Sequence, residues 1–119
     1  MEQHNKVQIL RFLINLELIG ITFIRDYMQF LFEDPLLNIY TLPQVKVLNR
    51  VFQFNQEGYY DILCSLIGKS VIDACEDDEN LIMRFEGDAE LKISLKLEDR
   101  VTVEAAMLRL ETEGQWTIW

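Results

Sequence analysis

The sequence has few of the residues from which catalytic and metal sites are commonly built. Among its 119 residues are one histidine and two cysteines. Nucleophilic catalysis by serine or cysteine needs a positioned imidazole as general base, and a zinc site needs several histidine and cysteine ligands at fixed spacing. The one histidine, His4, stands in a terminal segment. We therefore predict no catalytic residue and no metal site, and expect that the protein is not an enzyme.

Glycine is also scarce, and its distribution excludes a phosphate-binding loop. The five glycines are scattered at positions typical of turns and helix ends, so no Gly-rich motif could cradle a nucleotide. The acidic run over residues 73–79 lacks the spacing and the sharp-turn glycine of an EF-hand loop. We predict no cofactor, and we interpret the acidic run as a solvated turn rather than a calcium site.

Basic residues are outnumbered, with 11 Lys and Arg against 20 Asp and Glu, and the formal net charge is −9. This balance disfavours nucleic acid as a ligand, because affinity for phosphates comes from clustered Lys and Arg, and it disfavours an anionic membrane surface. It permits a basic protein partner, since complementary charge accelerates association. The alternative, that acidity only keeps the protein soluble, stays open.

No hydrophobic run is long enough to cross a membrane. The most apolar stretch, residues 12–24, is interrupted by polar residues and glycine and falls short of the about 18 apolar residues that indicate a spanning helix. The first residues lack the basic and apolar regions of a signal peptide. Cys64 and Cys75 form neither a C-x-x-C motif nor a disulfide framework. We therefore expect a reduced, cytoplasmic location.

Two similar segments follow one another, which indicates an internal duplication. The first copy covers about residues 6–54 and the second about residues 55–119. The matched segments, in chain order, are 18–20 with 66–68, 24 with 72, 28–33 with 81–86, and 37–40 with 91–94. Half of the residues are hydrophobic, and no linker rich in Pro, Gly or Ser separates the copies. We predict a single domain over residues 1–119.

Each copy begins with a predicted helix. Apolar residues at helical spacing predict helices over residues 6–19 and 57–67. Gly20 and Gly68 are predicted to end them, because a left-handed residue just after a helix has little steric cost only without a Cβ.

Strands are predicted from alternating patterns in the rest of each copy. Residues 28–33 and 91–96 alternate with period two, as in a half-buried antiparallel sheet. Two-residue turns at Asn49-Arg50 and Glu113-Gly114 predict closing hairpins. The predicted fold is α+β: two pseudo-symmetric helix-plus-antiparallel-meander repeats form one antiparallel sheet or open barrel, with two helices packed on it.

Aromatic and polar residues at two places predict an interaction surface. Trp116 and Trp119 lie three apart, so on a strand they point to opposite faces and cannot both be buried in the same core. Exposed tryptophan is enriched at interaction surfaces. Arg25, Asp26 and Tyr27 form a polar group between predicted strands, and we add them to this candidate surface.

Five segments carry a resemblance to a family. They are Phe23-Ile24-Arg25-Asp26-Tyr27-Met28-Gln29, Gly58-Tyr59-Tyr60-Asp61-Ile62-Leu63-Cys64-Ser65-Leu66-Ile67-Gly68, Glu98-Asp99-Arg100-Val101, Glu104-Ala105-Ala106 and Gly114-Gln115-Trp116-Thr117-Ile118-Trp119. Through them the chain resembles a family of small uncharacterised bacterial proteins, a domain of unknown function. The resemblance implies a bacterial source and no activity. In size and charge the chain also looks like immunity proteins of toxin–immunity pairs, by analogy only.

Two functions follow as hypotheses. The first is a non-catalytic interaction module, of which an immunity-type protein that binds a basic protein partner is one form. The alternative is a small-molecule-binding domain with a pocket between the two repeats. A homodimer fits either hypothesis, because the edges of an open sheet present unpaired backbone groups.

Overall fold

Ten strands in two antiparallel sheets build most of the fold. The structure, a computed structural model, describes residues 9–110 and 114–119. An α-helix, α1 (Tyr59–Cys64), lies between the fifth and sixth strands, and 3-10 helices cover Ile9–Leu13 and Leu97–Asp99. The strands are β1 (Gly20–Ile24), β2 (Tyr27–Leu31), β3 (Pro35–Ile39), β4 (Gln44–Val47), β5 (Arg50–Phe52), β6 (Val71–Glu76), β7 (Asn80–Phe85), β8 (Ala89–Ser94), β9 (Ala106–Leu110) and β10 (Gln115–Ile118).

Each sheet joins a three-stranded meander from one half of the chain to a hairpin from the other half. The first sheet has the order β1-β2-β3-β9-β10, and the second has the order β5-β4-β8-β7-β6. The two halves meet in the first sheet where β3 pairs with β9, with Leu37 opposite Leu108. They meet in the second where β4 pairs with β8, with Val45 opposite Leu91. Neither half of the chain therefore contains a complete sheet.

The predicted α+β fold, with two helices packed on one sheet or open barrel, is wrong. The fold is mostly β, with two five-stranded sheets and, within residues 9–110 and 114–119, a single short α-helix. Both the two helices and the single sheet were wrong, whereas strands and hairpins were expected from alternation.

The helix predicted over residues 6–19 is absent from the described part of that segment, which begins at residue 9. A 3-10 helix covers only Ile9–Leu13. Asn15 then takes a φ of 76°, and its N–H donates to the Val71 carbonyl at 2.7 Å. The backbone of this segment thus finds partners in the chain that follows α1, which satisfies its polar groups as well as a helix would. Gly20 begins β1 and ends no helix.

The helix predicted over residues 57–67 exists but is shorter. Gly58, just before α1, takes a φ of 87°, which excludes it from the helix. After α1, the N–H groups of Leu66 and Ile67 donate to carbonyls three residues back, which is 3-10 geometry. Gly68 takes the left-handed conformation predicted for it, with a φ of 94°.

The inward faces of the two sheets share one hydrophobic core. The predicted alternation is confirmed for Met28 and Phe30 and for Leu91 and Ile93, which are all at most 1% exposed. Each such side chain contributes about 1.5–3 kcal/mol through burial. The residues buried from both sheets, from α1 and from the first 3-10 helix form a single cluster, so the two sheets are stabilised together.

The hairpin of β4 and β5 turns one residue earlier than predicted. Leu48 and Asn49 have φ values of 50° and 69°, and a type I′ turn requires a positive φ at both of these positions. Arg50 already belongs to β5. Asparagine tolerates the left-handed region better than most residues do, so Asn49 takes the second turn position. The hairpin of β9 and β10 pairs as predicted, and residues 111–113 of its turn lie outside the described residues.

The acidic run contains an ordered turn between β6 and β7. Asp77 Oδ1 accepts hydrogen bonds from the backbone N–H groups of Glu79 and Asn80, both at 2.8 Å. These bonds favour the ionised carboxylate and lower the pKa of Asp77, and the bond from Glu79 contributes more than the bond from Asn80. Across residues 9–110 and 114–119, no group of three or more His, Cys, Asp or Glu side chains could hold a metal ion.

We expect Asp77→Ala to destabilise the protein at neutral pH, whereas Asp78→Ala, at the neighbouring exposed position, should leave stability unchanged. Because the pKa of Asp77 is lowered on folding, its contribution is present above the ordinary aspartate value of about 4 and is lost as the pH falls through the folded value. Urea unfolding of both variants at neutral and acidic pH measures the free energy of unfolding and its dependence on pH. Equal stability of the two variants at neutral pH would show that the Asp77 bonds contribute nothing.

Candidate functional site

The outer face of the first sheet carries five apolar side chains beside the polar Gln29, Asn38 and Arg109. Leu31 lies opposite Leu36 across β2 and β3, and Met107 lies opposite Ile118 across β9 and β10. Trp116 lies opposite Arg109. Arg109 points outward, because the next residue on its strand, Leu108, is buried in the core, so Trp116 also belongs to the outer face. We call the set Leu31, Leu36, Met107, Trp116 and Ile118 the apolar outer face. Trp116 is 60% exposed and Ile118 is 42% exposed.

The outer face of the second sheet has the opposite character. A row of residues with alternating charge crosses four of its strands: Lys46 faces Glu90, Glu90 faces Arg84, and Arg84 faces Asp73. Cross-strand pairs of opposite charge stabilise a solvated face. Outward positions of packed sheets are ordinarily polar, so the second sheet follows the rule and the first departs from it. An exposed apolar patch of this kind marks an interaction site.

A buried amide lies at the centre of the first sheet's outer face. Asn38 on β3 sits between Gln29 and Met107 in the register and is only 7% exposed. Its Nδ2 donates to the Tyr40 hydroxyl at 3.2 Å, while its Oδ1 has no partner within the described residues. Buried polar atoms are usually satisfied, so this acceptor adds a polar feature to the middle of the apolar outer face.

The structure separates the five residues of the sequence-predicted surface. Trp116 lies on the apolar outer face, whereas Trp119 turns inward, packs against the core and donates its Nε1–H to Glu76 Oε2 at 3.1 Å. The spacing of three predicted this opposition. Arg25 and Asp26 form the exposed turn between β1 and β2.

Tyr27 belongs to the same outer face as Trp116 but lies at its far corner. It stands on β2, and its ring is 5.3 Å from that of Tyr40. Three strand spacings separate β2 from β10 in the sheet, so Tyr27 and Trp116 do not touch. A shared surface for these two residues would therefore span the whole face.

Sequence reasoning missed most of the apolar outer face. Leu36-Leu37 and Ala106-Met107-Leu108 place apolar residues at successive strand positions. Such runs indicate a strand that is apolar on both faces, and this signal was present in the sequence. It could not show that β3 and β9 are neighbours.

An open cleft of about 690 Å³ lies on the outer face of the second sheet. Its lining comes from both halves of the chain, with Gln44, Gln53 and Phe54 on one side and Lys92, Ser94 and Lys96 on the other. The volume falls within the roughly 300–1,000 Å³ of small-molecule sites. The cleft is the feature that bears on the alternative hypothesis of a ligand-binding domain.

Both cysteines are free thiols. Cys75 is half-buried, and Cys64 is exposed on α1. Among the residues described, no helix is long and apolar enough to cross a membrane.

Comparison with known proteins found no matching family model, no similar curated protein and no similar solved structure. The resemblance to a family of small bacterial proteins therefore stays a prediction.

Proposed function

We propose that this protein is a non-catalytic interaction module that binds a basic protein partner through the apolar outer face. The observation that carries the proposal is the contrast between the two sheets: the second presents an alternating row of charges to solvent, and the first presents Trp116 and Ile118 with Leu31, Leu36 and Met107 around a single arginine, Arg109. Leaving a tryptophan 60% exposed keeps apolar area in water that a partner could bury.

The apolar outer face is large enough for the centre of an interface. Its five side chains come from four strands about 4.8 Å apart and from two rows of residues about 6.8 Å apart, which gives roughly 14 by 7 Å between backbone positions. A stable interface buries about 800 Å² on each partner. The face therefore supplies the apolar core, and the polar surroundings supply the rim, as in most protein interfaces.

The charge of the chain favours a basic partner. The formal net charge is −9, and Glu33 and Asp34 lie in the turn between β2 and β3. Long-range attraction raises the association rate with a basic protein. The same charge makes two copies of this chain repel each other, so we favour a different protein over a homodimer as the partner.

An immunity-type protein that masks a basic toxin surface is one form of this function, in a cytoplasmic setting that suits two free thiols. The proposal needs no catalytic group, which agrees with a composition that has one histidine.

We expect Trp116→Ala to weaken partner binding by about 30-fold or more, since tryptophans that act as interface hot spots contribute at least ~2 kcal/mol. The partner is first captured from the native organism with the tagged protein, eluted with salt and identified by mass spectrometry, and its Kd is then measured by calorimetry. Val103→Ala is the control, because Val103 is 88% exposed and lies outside the sheets.

Two results would contradict the proposal. One is an eluate without any partner at low salt, although the protein used is folded. The other is an unchanged Kd for Trp116→Ala, which would place the interface elsewhere. Similar thermal unfolding of both variants and the parent protein is the check that only the surface has changed.

The alternative of a small-molecule-binding domain is favoured by one observation, the cleft lined by both halves of the chain. The cleft and the apolar outer face lie on different sheets, so the two functions are compatible.

A further inference from the structure

The floor of the cleft is formed by polar side chains on the outer face of the second sheet. Gln44 on β4 lies opposite Lys92 on β8, and Ser94 on β8 lies opposite Asn80 on β7. Side chains of alternate residues on a strand share a face and lie about 6.7 Å apart. Lys92 and Ser94 therefore lie side by side on the floor, and Lys96, two residues beyond the end of β8, also lines the cleft.

The walls of the cleft are held by specific hydrogen bonds. Ser94 Oγ donates to Asp99 Oδ2 at 2.6 Å, which ties the floor to the segment after β8. Arg100 fixes the same segment by donating to the carbonyl oxygen of Leu95 from Nε at 3.2 Å and from Nη2 at 2.8 Å. It also donates from Nη1 to the carbonyl oxygen of Val103 at 2.8 Å.

The opposite wall is fixed by an aromatic anchor. Phe54 lines the cleft and packs edge-on against Tyr59 at 6.2 Å. The Tyr59 hydroxyl donates to the carbonyl oxygen of Pro43 at 2.6 Å, and Pro43 also lines the cleft. This wall therefore presents an apolar ring at a defined position.

Lys92 and Lys96 bring positive charge without an acidic partner. Within residues 9–110 and 114–119, neither ammonium lies within 4 Å of a carboxylate. Lys46, on the same face of the same sheet, lies opposite Glu90, whereas Lys92 lies opposite Gln44 and Ile82. The charge of Asp77 also acts on Lys92, without an ion pair between them.

The remaining charges at the cleft are those of Asp99 and Glu79. Asp99 accepts the Ser94 hydroxyl, and Glu79 stands in the exposed turn before β7. Thr41 also lines the cleft, and its buried Oγ1 has no hydrogen-bond partner within the described residues. The set offers ammonium and amide donors beside one aromatic ring.

We propose that this cleft binds a small organic anion, a carboxylate or a phosphate ester. Its acid group contacts the ammonium groups of Lys92 and Lys96, and its apolar part lies against Phe54. Lysine ammonium groups that make no ion pair recognise an anion by charge and hydrogen bonding together, whereas the Ser94 hydroxyl is already engaged by Asp99. This inference does not rest on the proposed partner of the apolar outer face.

The test is a titration of the full chain, labelled with nitrogen-15, with phenyl phosphate, benzoate, inorganic phosphate and phenol. We expect saturable shifts of the backbone amides of Gln44, Ser94 and Lys96 with phenyl phosphate or benzoate. Comparison of these two ligands decides between a phosphate and a carboxylate. Inorganic phosphate should bind more weakly because it lacks the ring, and phenol should cause no saturable shift because it lacks the charge.

The variants Lys92→Gln and Lys96→Gln should each weaken binding of the preferred anion by about tenfold or more, because a charge-assisted hydrogen bond is lost. Lys46→Gln is the matched control, with the same charge change on the same face outside the cleft, and Trp116→Ala should also bind normally. The proposal is overturned if no anion gives saturable shifts, if the shifts lie elsewhere, or if Lys46→Gln weakens binding as much as Lys92→Gln.

Discussion

Replacing Tyr59 with alanine is expected to lower the free energy of unfolding by about 3–5 kcal/mol, the usual cost of removing a buried aromatic ring. Tyr59 is 1% exposed, its ring contacts those of Phe54 and Tyr60, and its hydroxyl holds the carbonyl oxygen of Pro43 at 2.6 Å. One side chain thus joins α1 to the chain that enters β4. Urea unfolding followed by circular dichroism measures the loss.

Two further variants separate the ring from the hydroxyl. Tyr59→Phe keeps the ring and leaves the Pro43 carbonyl without its donor, which should cost about 1–3 kcal/mol. Tyr60→Ala removes a neighbouring ring that is 49% exposed, and its effect should be smaller than that of Tyr59→Ala. A Tyr60→Ala variant as unstable as Tyr59→Ala would mean that α1 is held by other contacts.

The Tyr59 hydroxyl should also make the protein sensitive to alkali. Burial raises the pKa of Tyr59 above its ordinary value, and the neighbouring Tyr60 raises it further. A raised pKa means that the contribution to stability is complete below the ordinary tyrosine value of about 10 and is lost as the pH rises above it. The fall in stability above that pH should be smaller in Tyr59→Phe, and an equal fall would assign it to other groups.

Separating the chain between Phe54 and Asn55 is expected to abolish folding of each half by itself. Each sheet takes a meander from one half and a hairpin from the other. Alone, the first half would expose the β3 edge that β9 covers, and the second would expose the β8 edge that β4 covers. Leu37 and Leu108, both fully buried at one of these junctions, would be exposed to water. Unpaired edges and exposed core side chains leave little to offset the entropy of ordering the chain.

Amide proton NMR of residues 1–54, of residues 55–119 and of their mixture tests this expectation. Each half should give the narrow dispersion of an unfolded chain, and mixing should restore the dispersed spectrum of the intact protein. The cut lies in an exposed loop, so it removes no core contact by itself. A dispersed spectrum from either half alone would show that a half can form its own core.

Hydrophobic spacing predicted which side chains are buried more accurately than it predicted the helices. Among the apolar residues at helical spacing over residues 6–19, Leu10, Leu13 and Leu18 are fully buried and Ile14 is half-buried, while Val7 lies outside the described residues. The three leucines reach the core from a 3-10 helix and an extended segment. The spacing of the apolar residues predicted which of them are buried. The backbone conformation depends instead on a partner far along the chain, because the Asn15 N–H donates to the carbonyl oxygen of Val71, more than fifty residues away.

Local signals were sufficient where one turn or one strand decides the structure. Alternation placed Met28 and Phe30 inward, glycine at position 68 took a left-handed conformation, and the spacing of Trp116 and Trp119 put them on opposite faces. These features depend on the backbone period and on the missing Cβ of glycine. Both can be read directly from the order of residues.

The sequence by itself determined the strands, the hairpins, the acidic charge and the exposure of one tryptophan. Only the tertiary structure decided that each hairpin joins the other half's meander, and this pairing sets Met107 beside Asn38 and brings Gln44 beside Lys92. Both candidate sites, the apolar outer face and the cleft, are made by these junctions. The period of the backbone determines which face of a strand each side chain is on, but which strands become neighbours depends on packing between residues far apart in the chain.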